Sequence, residues 1–250
     1  MKKTYFISDF HLGVDTNVPS KVRERYVVHW LDCIKEDAAA IYFLGDILDY
    51  WFEYKSVVPK GFTRLFGKIS ELTDRGISIE WFIGNHDMWT FGYFENELGV
   101  KIKKTPELKV INNKACYLCH GDGLGHGDLG YKIIKAIISN PLCQSLFTLI
   151  PSSLGIWMMK SSSKGSRYSQ NVHSKKEKLK DERLHQYFEE FSNDEKVDYF
   201  IYGHLHHGEI RTLSNGSSKS INLGDWTSLW TYAEMNEKGE IELKKHPIPS

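Results

Sequence analysis

Five apolar segments of the 250-residue chain run into the same few residue types. Residues 4–8 lead to Asp9-Phe10-His11, and 40–44 to Gly45-Asp46-Ile47-Leu48-Asp49. Residues 78–83 lead to Gly84-Asn85-His86-Asp87, 115–119 to His120-Gly121-Asp122, and 198–202 to Gly203-His204-Leu205-His206. Open α/β sheets gather ligand groups at the carboxyl ends of their strands, so five such ends can converge on one crevice.

Carboxylate oxygen and imidazole nitrogen, with no thiolate among them, suit two divalent ions of the Mn, Fe or Zn type better than a structural cysteine site. In extended backbone, D-x-H and H-x-H each place both side chains on one face. One carboxylate, best placed on Asp46, can bridge two ions. Ions about 3.5–4 Å apart share a hydroxide and clamp the attacking and leaving oxygens of a phosphoryl displacement. Taken singly, a histidine or aspartate at a strand end is ordinarily a cap or a turn residue. Five of them in order, each after its own strand, carry the metal reading.

The elements that must position these groups follow from periodicity. Strands are expected at 4–8, 40–44, 78–83, 115–119, 198–202, 220–223 and 240–244. Ser20 is placed to cap a helix running to about residue 37, with Val22, Val27, Trp30, Leu31 and Ile34 on one face. Phe62, Leu65, Phe66, Ile69 and Leu72 repeat the pattern, and Gly76 stops it. Strands alternating with helices give an α/β class. Residues 124–173 depart from it: apolar patches broken by Asn140-Pro141 and Pro151-Ser152-Ser153, then a serine-rich stretch, read as a helical insertion within a single 1–250 domain. A helix from 174 to about 191 returns to the sheet.

Composition removes other classes. Lys+Arg and Asp+Glu are both 32, so the chain lacks the charge excess of a general nucleic-acid binder, and no nucleic-acid partner is expected. The apolar run after Met1-Lys2-Lys3 is too short for a secretion signal, and no apolar stretch approaches the roughly 20 residues of a membrane span, so a cytoplasmic protein is expected. Cys116 and Cys119 form a lone C-x-x-C in a strand-like segment; alternation points them to opposite faces, as packing residues.

The order D-x-H, G-D, G-N-H-D, H-G-D, G-H-x-H, from Asp9 to His206, resembles the calcineurin-like metallophosphoesterases. The resemblance implies two packed β-sheets flanked by helices, a four-layer sandwich. It implies one metal on Asp9, His11, Asp46 and His206, and another on Asp46, Asn85, His120 and His204. It makes His86 the histidine that contacts the phosphate or protonates the leaving group, Asp87 the acid that supports it, and Asp49 and Asp122 groups behind the ligands. More finely, the run from Gly45 to Glu53 (GDILDYWFE) and Asn222-Leu223-Gly224-Asp225-Trp226 are similar to segments of the UDP-2,3-diacylglucosamine pyrophosphohydrolases of lipid A synthesis. That likeness implies Mn-dependent cleavage of the pyrophosphate to UMP and 2,3-diacylglucosamine 1-phosphate. It makes the 124–173 insertion a lid over the acyl chains. Gly84-Asn85-His86-Asp87 departs from the Gly-Asn-Arg-Asp of the major branch of those enzymes.

The insertion has its own physical reading. Ile133, Ile134, Ile137, Ile138, Leu146, Phe147, Leu149, Ile156, Trp157 and Met158 can line an apolar chamber, or can simply pack small helices on the body. Lys160, Lys164, Arg167, Lys175, Lys176 and Lys178 can meet a diphosphate or the anionic surface of the inner membrane, a peripheral contact; Lys164 and Arg167 are the substrate-binding candidates. His126, His173, His185 and His207 are read as non-ligands. The competing functions are a dinuclear phosphoesterase for a soluble nucleotide, phosphodiester or phosphoprotein, and a non-catalytic scaffold of the same fold.

Overall fold

The computed structural model describes residues 2–127, 129–171 and 174–247, without the side chains of 162–171 and 174–177. Two sheets make the body. One has the strand order β11-β10-β1-β2-β3-β4 and the other β5-β6-β7-β9-β8. The first is built from β1 (Lys3–Ile7), β2 (Ala38–Leu44), β3 (Ser78–Phe82), β4 (Lys101–Lys103), β10 (Thr231–Met235) and β11 (Ile241–Lys245). The second contains β5 (Glu107–Ile111), β6 (Lys114–Leu118), β7 (Tyr199–Tyr202), β8 (Gly208–Thr212) and β9 (Lys219–Leu223).

Alternation along the strands divides the core into three apolar layers. Phe6, Tyr42, Leu44 and Phe82 of the first sheet meet Cys116, Leu118, Ile201, Ile221 and Leu223 of the second between the sheets. The intervening residues Tyr5, Ile7, Ile41, Phe43 and Trp81 face outward against α1 (Ser20–Ile34), α2 (Thr63–Asp74) and α3 (Tyr93–Leu98). On the far side Tyr117, Cys119, Phe200 and Tyr202 pack on Leu184 and Phe188 of α7 (Ser174–Asp194). The order helices, sheet, sheet, helix is the expected α/β sandwich.

Cys116 and Cys119 fall in different apolar clusters on opposite faces. Burial pushes the Cys116 thiol up to about 12 and the Cys119 thiol up as well, which suits packing residues.

Several local expectations need correction. Ser20 does not cap α1. Pro19 occupies the N-cap, and the Ser20 hydroxyl accepts from the Gly13 N–H at 2.7 Å instead. Asn140-Pro141 is a helix start rather than a simple break: the Asn140 side chain accepts from Leu142 N–H, and Pro141 opens α5 (Pro141–Phe147). Strands β4, β5, β8 and β10 and helix α3 lie outside the elements that periodicity marks.

Between β6 and α7 stand α4 (Leu129–Ser139), α5 and α6 (Ser152–Asn171). No residue of α4 or α5 is buried. Among the described residues no single helix is long and apolar enough to cross a membrane; α5 and the first part of α6, Ser152–Ser161, form a bent pair at 119° that passes by composition.

Candidate metal centre

The five chemistry-bearing turns come from both sheets. Those after β1, β2 and β3 belong to the first, and those after β6 and β7 to the second. They are stitched together by backbone. Asp9 N–H donates to Gly45 C=O at 3.1 Å, His11 N–H to Asp46 C=O at 2.9 Å, and Gly203 N–H to His120 C=O at 3.1 Å. Asp9, His11, Asp46, His204 and His206 all have left-handed backbone, with φ between 46° and 70°. The D-x-H and H-x-H pairs are therefore not extended, as alternation suggested. They converge because each ligand sits on a tight turn rather than on one strand face.

The close approach of the turns demands glycine, most tightly at Gly84 and Gly203. A Cβ on Gly84 would lie 2.2 Å from Asp46 Oδ1, and one on Gly203 would lie 2.3 Å from Asp9 Oδ2. Those carboxylates are themselves held by the backbone that the glycines admit. Asp46 Oδ1 accepts from His86 N–H at 2.9 Å, and Asp9 Oδ2 from His204 N–H at 3.0 Å.

The side chains assemble into three overlapping groups, Asp9–His11–His206, His11–Asp46–His86 and Asp46–His120–His204, the ligand atoms within each lying within 4.8 Å of one another. Asp46 is central: Oδ2 is 3.2 Å from His120 Nε2, 3.8 Å from His11 Nε2 and 4.0 Å from His86 Nε2. The His11 and His206 rings stack at 5.0 Å, and the His120 and His204 rings meet edge to face at 5.1 Å.

The buried polar atoms of this arrangement are those of a cation site. Asp9 Oδ1, both ring nitrogens of His11, Asn85 Oδ1 and His120 Nε2 are buried without a hydrogen-bond partner among the described residues. Buried polar atoms are normally paired, and leaving one unmet costs about 1–3 kcal/mol. Here all are metal-donor types; His11 Nε2 faces Asp9 and Asp46 in the cluster, while its Nδ1 faces Asp49 behind it. His120 Nδ1–H donates to Leu44 C=O at 2.8 Å, which leaves Nε2 as the donor to an ion. The residues present fit two divalent cations.

The electrostatics agree. Burial alone would lower His120, but the Asp46 carboxylate raises it to about 10. His11 is likewise lowered by burial and raised to about 10 by Asp49, Asp9 and Asp46. Asp46 itself is held well below the carboxylate range by His120, His86 and His11 despite its burial. His204, by contrast, is lowered to about 3 by burial and by the charge on His120. The carboxylates thus favour positive charge at the centre.

Behind the ligands the outcome is mixed. Asp49 Oδ1 lies 3.4 Å from His11 Nδ1, and Asp49 C=O accepts from His86 Nδ1 at 2.9 Å. His86 Nε2 therefore faces the Asp46 side of the centre. Asp87 does not support the His86 ring, as the resemblance implied. Its fully buried carboxylate accepts from Gly84 N–H at 2.7 Å, Ile47 N–H at 3.0 Å and Trp81 Nε1–H at 3.2 Å, so it fixes the two glycine turns. Burial and the Asp46 charge raise it to about 6. Asp225, given no role from sequence, stands 3.3 Å from His206 Nδ1; its place after β9 in Asn222-Leu223-Gly224-Asp225-Trp226 was the available signal.

His207 turns away to Asp181 at 3.5 Å, His126 is exposed beside Glu190, and His185 pairs with Glu189. His173 and the side chains of Lys164, Arg167, Lys175 and Lys176 lie outside the described residues.

A cavity of about 400 Å³ opens beside Asn85 and His86. Its other walls include Tyr50 and Trp51 of the GDILDYWFE segment, Ile134 and Ile138 of α4, Phe147 of α5, and Met158 and Met159 of α6. Aromatic contacts hold these parts together: Phe147 lies 4.8 Å from Phe52 and 4.7 Å from Trp89 between ring centroids. Trp89 Nε1–H donates to Ile138 C=O at 3.0 Å. Of the insertion's apolar residues, Ile134, Ile138, Phe147 and Met158 line this cavity, and Ile156 packs on the main core. Ile133, Ile137, Leu146, Leu149 and Trp157 are exposed.

Comparison with known proteins agrees with this geometry. Residues 2–208 match the family described as "Calcineurin-like phosphoesterase". The chain is 33% identical over 244 residues to a UDP-2,3-diacylglucosamine hydrolase of Porphyromonas gingivalis, covering 92% of this chain and 93% of that one. It is 26% identical over 242 residues to a UDP-2,3-diacylglucosamine hydrolase of Histophilus somni, covering 96% and 98%. Among solved structures, one described as a novel archaeal phosphodiesterase aligns with a TM-score of 0.46 at 15% identity, covering 97% of this chain and 98% of that one. On the match over residues 2–208 the chain belongs to the calcineurin-like phosphoesterases, and with its clustered metal donors it is a metal-dependent hydrolase.

Proposed function

We propose that this chain hydrolyses the pyrophosphate of UDP-2,3-diacylglucosamine, giving UMP and 2,3-diacylglucosamine 1-phosphate, a step of lipid A synthesis. The observation that carries the reading is the apolar cavity of about 400 Å³ that adjoins the metal-donor clusters at Asn85 and His86. A substrate with two acyl chains and a diphosphate needs that juxtaposition, and a small soluble phosphoester does not. The curated relatives, named for this activity, support it.

We assign one metal to Asp9, His11, Asp46 and His206 and the other to Asp46, Asn85, His120 and His204, with Mn as the working ion. Held there, two divalent ions would activate water and neutralise charge on the phosphoryl oxygens. The protein's own part is placement. His86, held through Nδ1 by Asp49, presents Nε2 to the phosphate. Asp87 and Asp225 fix the turns and ring beneath the ligands. Residues 124–173 form the lid over the acyl chains, with Lys164 and Arg167 on it as phosphate candidates. The outward-facing Ile133, Ile137, Leu146, Leu149 and Trp157 support a peripheral contact with the inner membrane on its cytoplasmic side.

The test is acyl dependence. UMP release from UDP-2,3-diacylglucosamine should exceed that from UDP-glucosamine, which lacks acyl chains, by at least a hundredfold in kcat/KM. Equal values would assign the cavity no part in substrate choice.

A further inference from the structure

The apolar cavity carries one permanent positive charge. Among its described lining residues Lys135 of α4 is the one lysine or arginine. A second cavity, of about 260 Å³, runs along Gly84, His120 and Gly121 and includes Lys103 and Lys104; it shares Lys135 and Met88 with the first. Lys135 therefore stands where the lid helix, the apolar chamber and the metal-bearing turns meet.

Its ammonium is held in place. Nζ donates to Asp122 Oδ2 at 2.6 Å and reaches Asp122 C=O at 3.2 Å. The Tyr131 hydroxyl donates to the same Oδ2 at 2.5 Å. Asp122 is buried and follows His120 by two residues, so one carboxylate ties two side chains of α4 to the turn that carries a metal ligand. An ammonium has three N–H groups, and two are used here. Neutralising a buried carboxylate would not require exposure, yet the Lys135 side chain remains 37% exposed and faces both cavities.

We propose that Lys135 binds the phosphate that stays with the diacylated sugar. The inference rests on the functional reading above and extends it to a residue. That phosphate lies between the acyl chains and the bond that breaks, which is the position Lys135 occupies between chamber and metal centre. An ammonium already oriented by Asp122 loses little side-chain freedom when the anion arrives.

Binding of two ligands separates this contact from its alternatives: 2,3-diacylglucosamine 1-phosphate and the same lipid without the phosphate, titrated calorimetrically against wild type, Lys135→Gln, Lys135→Arg and the double variant Asp122→Asn with Lys135→Gln. Lys135→Gln should weaken the phosphorylated lipid about tenfold, as expected for one charge-assisted contact, and leave the phosphate-free lipid within twofold. Lys135→Arg should recover most of the loss, and the double variant should stay as weak as Lys135→Gln. Recovery in the double variant would show that Lys135 only neutralises Asp122. Equal weakening of both lipids would show a packing role. Either result overturns the contact while leaving the functional reading in place. Failure of wild type to bind either lipid would overturn that reading, and the contact with it.

Discussion

Asp225 Oδ2 stands 3.3 Å from Nδ1 of His206, and His206 Nε2 is 3.6 Å from Asp9 Oδ1. The aspartate fixes which ring nitrogen faces the cluster. Its other oxygen accepts from Leu229 N–H at 2.9 Å and Ser228 N–H at 3.1 Å, so the carboxylate is locked before any ligand arrives. Outer carboxylates of this kind are typically worth about 10–100-fold in metal affinity. Asp225→Ala should therefore weaken Mn binding by about that factor with the fold retained, read by metal titration and circular dichroism. Unchanged affinity would show that His206 needs no orienting partner.

Gly84→Ala should be far more damaging than a typical glycine substitution. The new Cβ would meet Asp46 Oδ1 at 2.2 Å and Asp46 N at 2.6 Å, neither of which can yield without moving the shared carboxylate. Loss of both metals from the purified variant, measured by elemental analysis, is the expected outcome. A variant holding two ions would mean the β2 and β3 turns can separate without cost.

His86→Ala separates contact with the phosphate from metal binding. His86 Nε2 lies 4.0 Å from Asp46 and joins His11 and Asp46 in one group of possible donors, but its Nδ1 is held by Asp49 C=O and the assigned ligand sets are complete without it. Turnover should fall by about 10²–10⁴, the range for a general acid–base group, with metal content near wild type. Metal loss in this variant would make His86 a ligand.

Metal binding should release protons. His11 and His120 are raised to about 10 in the metal-free chain, so both are protonated at pH 7 and must deprotonate to bind an ion. Mn affinity should rise with pH between about 7 and 10. The same shifts govern stability without metal. Groups raised in the folded state stabilise it fully below their unfolded value of about 6.5, and that contribution disappears as pH passes through the folded value. The Tm of metal-stripped protein should fall between pH 6.5 and 10, and Mn should abolish the fall. A flat profile without metal would show that the two imidazoles are neutral in the empty centre.

Much of this site was legible in the sequence, and the gaps have physical causes. Asp9, His11, Asp46, Asn85, His120, His204 and His206 lie together because the strand ends of two packed sheets meet at one edge, and residue order conveys that each follows a strand. The backbone that brings them together was misjudged, since left-handed φ at His11 or His206 leaves no compositional trace when the residue is not glycine. Asp87 was given the wrong partner because adjacency in G-N-H-D says nothing about a carboxylate turned inward to Gly84 and Ile47. Strand β5 was missed although Glu107 to Ile111 alternates and Asn112-Asn113, both at positive φ, turn it into β6. Lys135 was invisible because its value comes from Asp122, thirteen residues back, and from a cavity that three helices complete.

Cleavage of a nucleotide-linked lipid by one dinuclear centre organised by Asp46 can be measured directly. The direct measurement is UMP release from UDP-2,3-diacylglucosamine by metal-stripped protein, with Mn restored and with Asp46→Ala alongside. Release should return with Mn in the wild-type chain and be absent in the variant, which should also fail to retain metal. No release by the Mn-loaded wild type, together with Mn-dependent cleavage of a simple aryl phosphodiester, would contradict lipid cleavage and leave a phosphoesterase of another substrate.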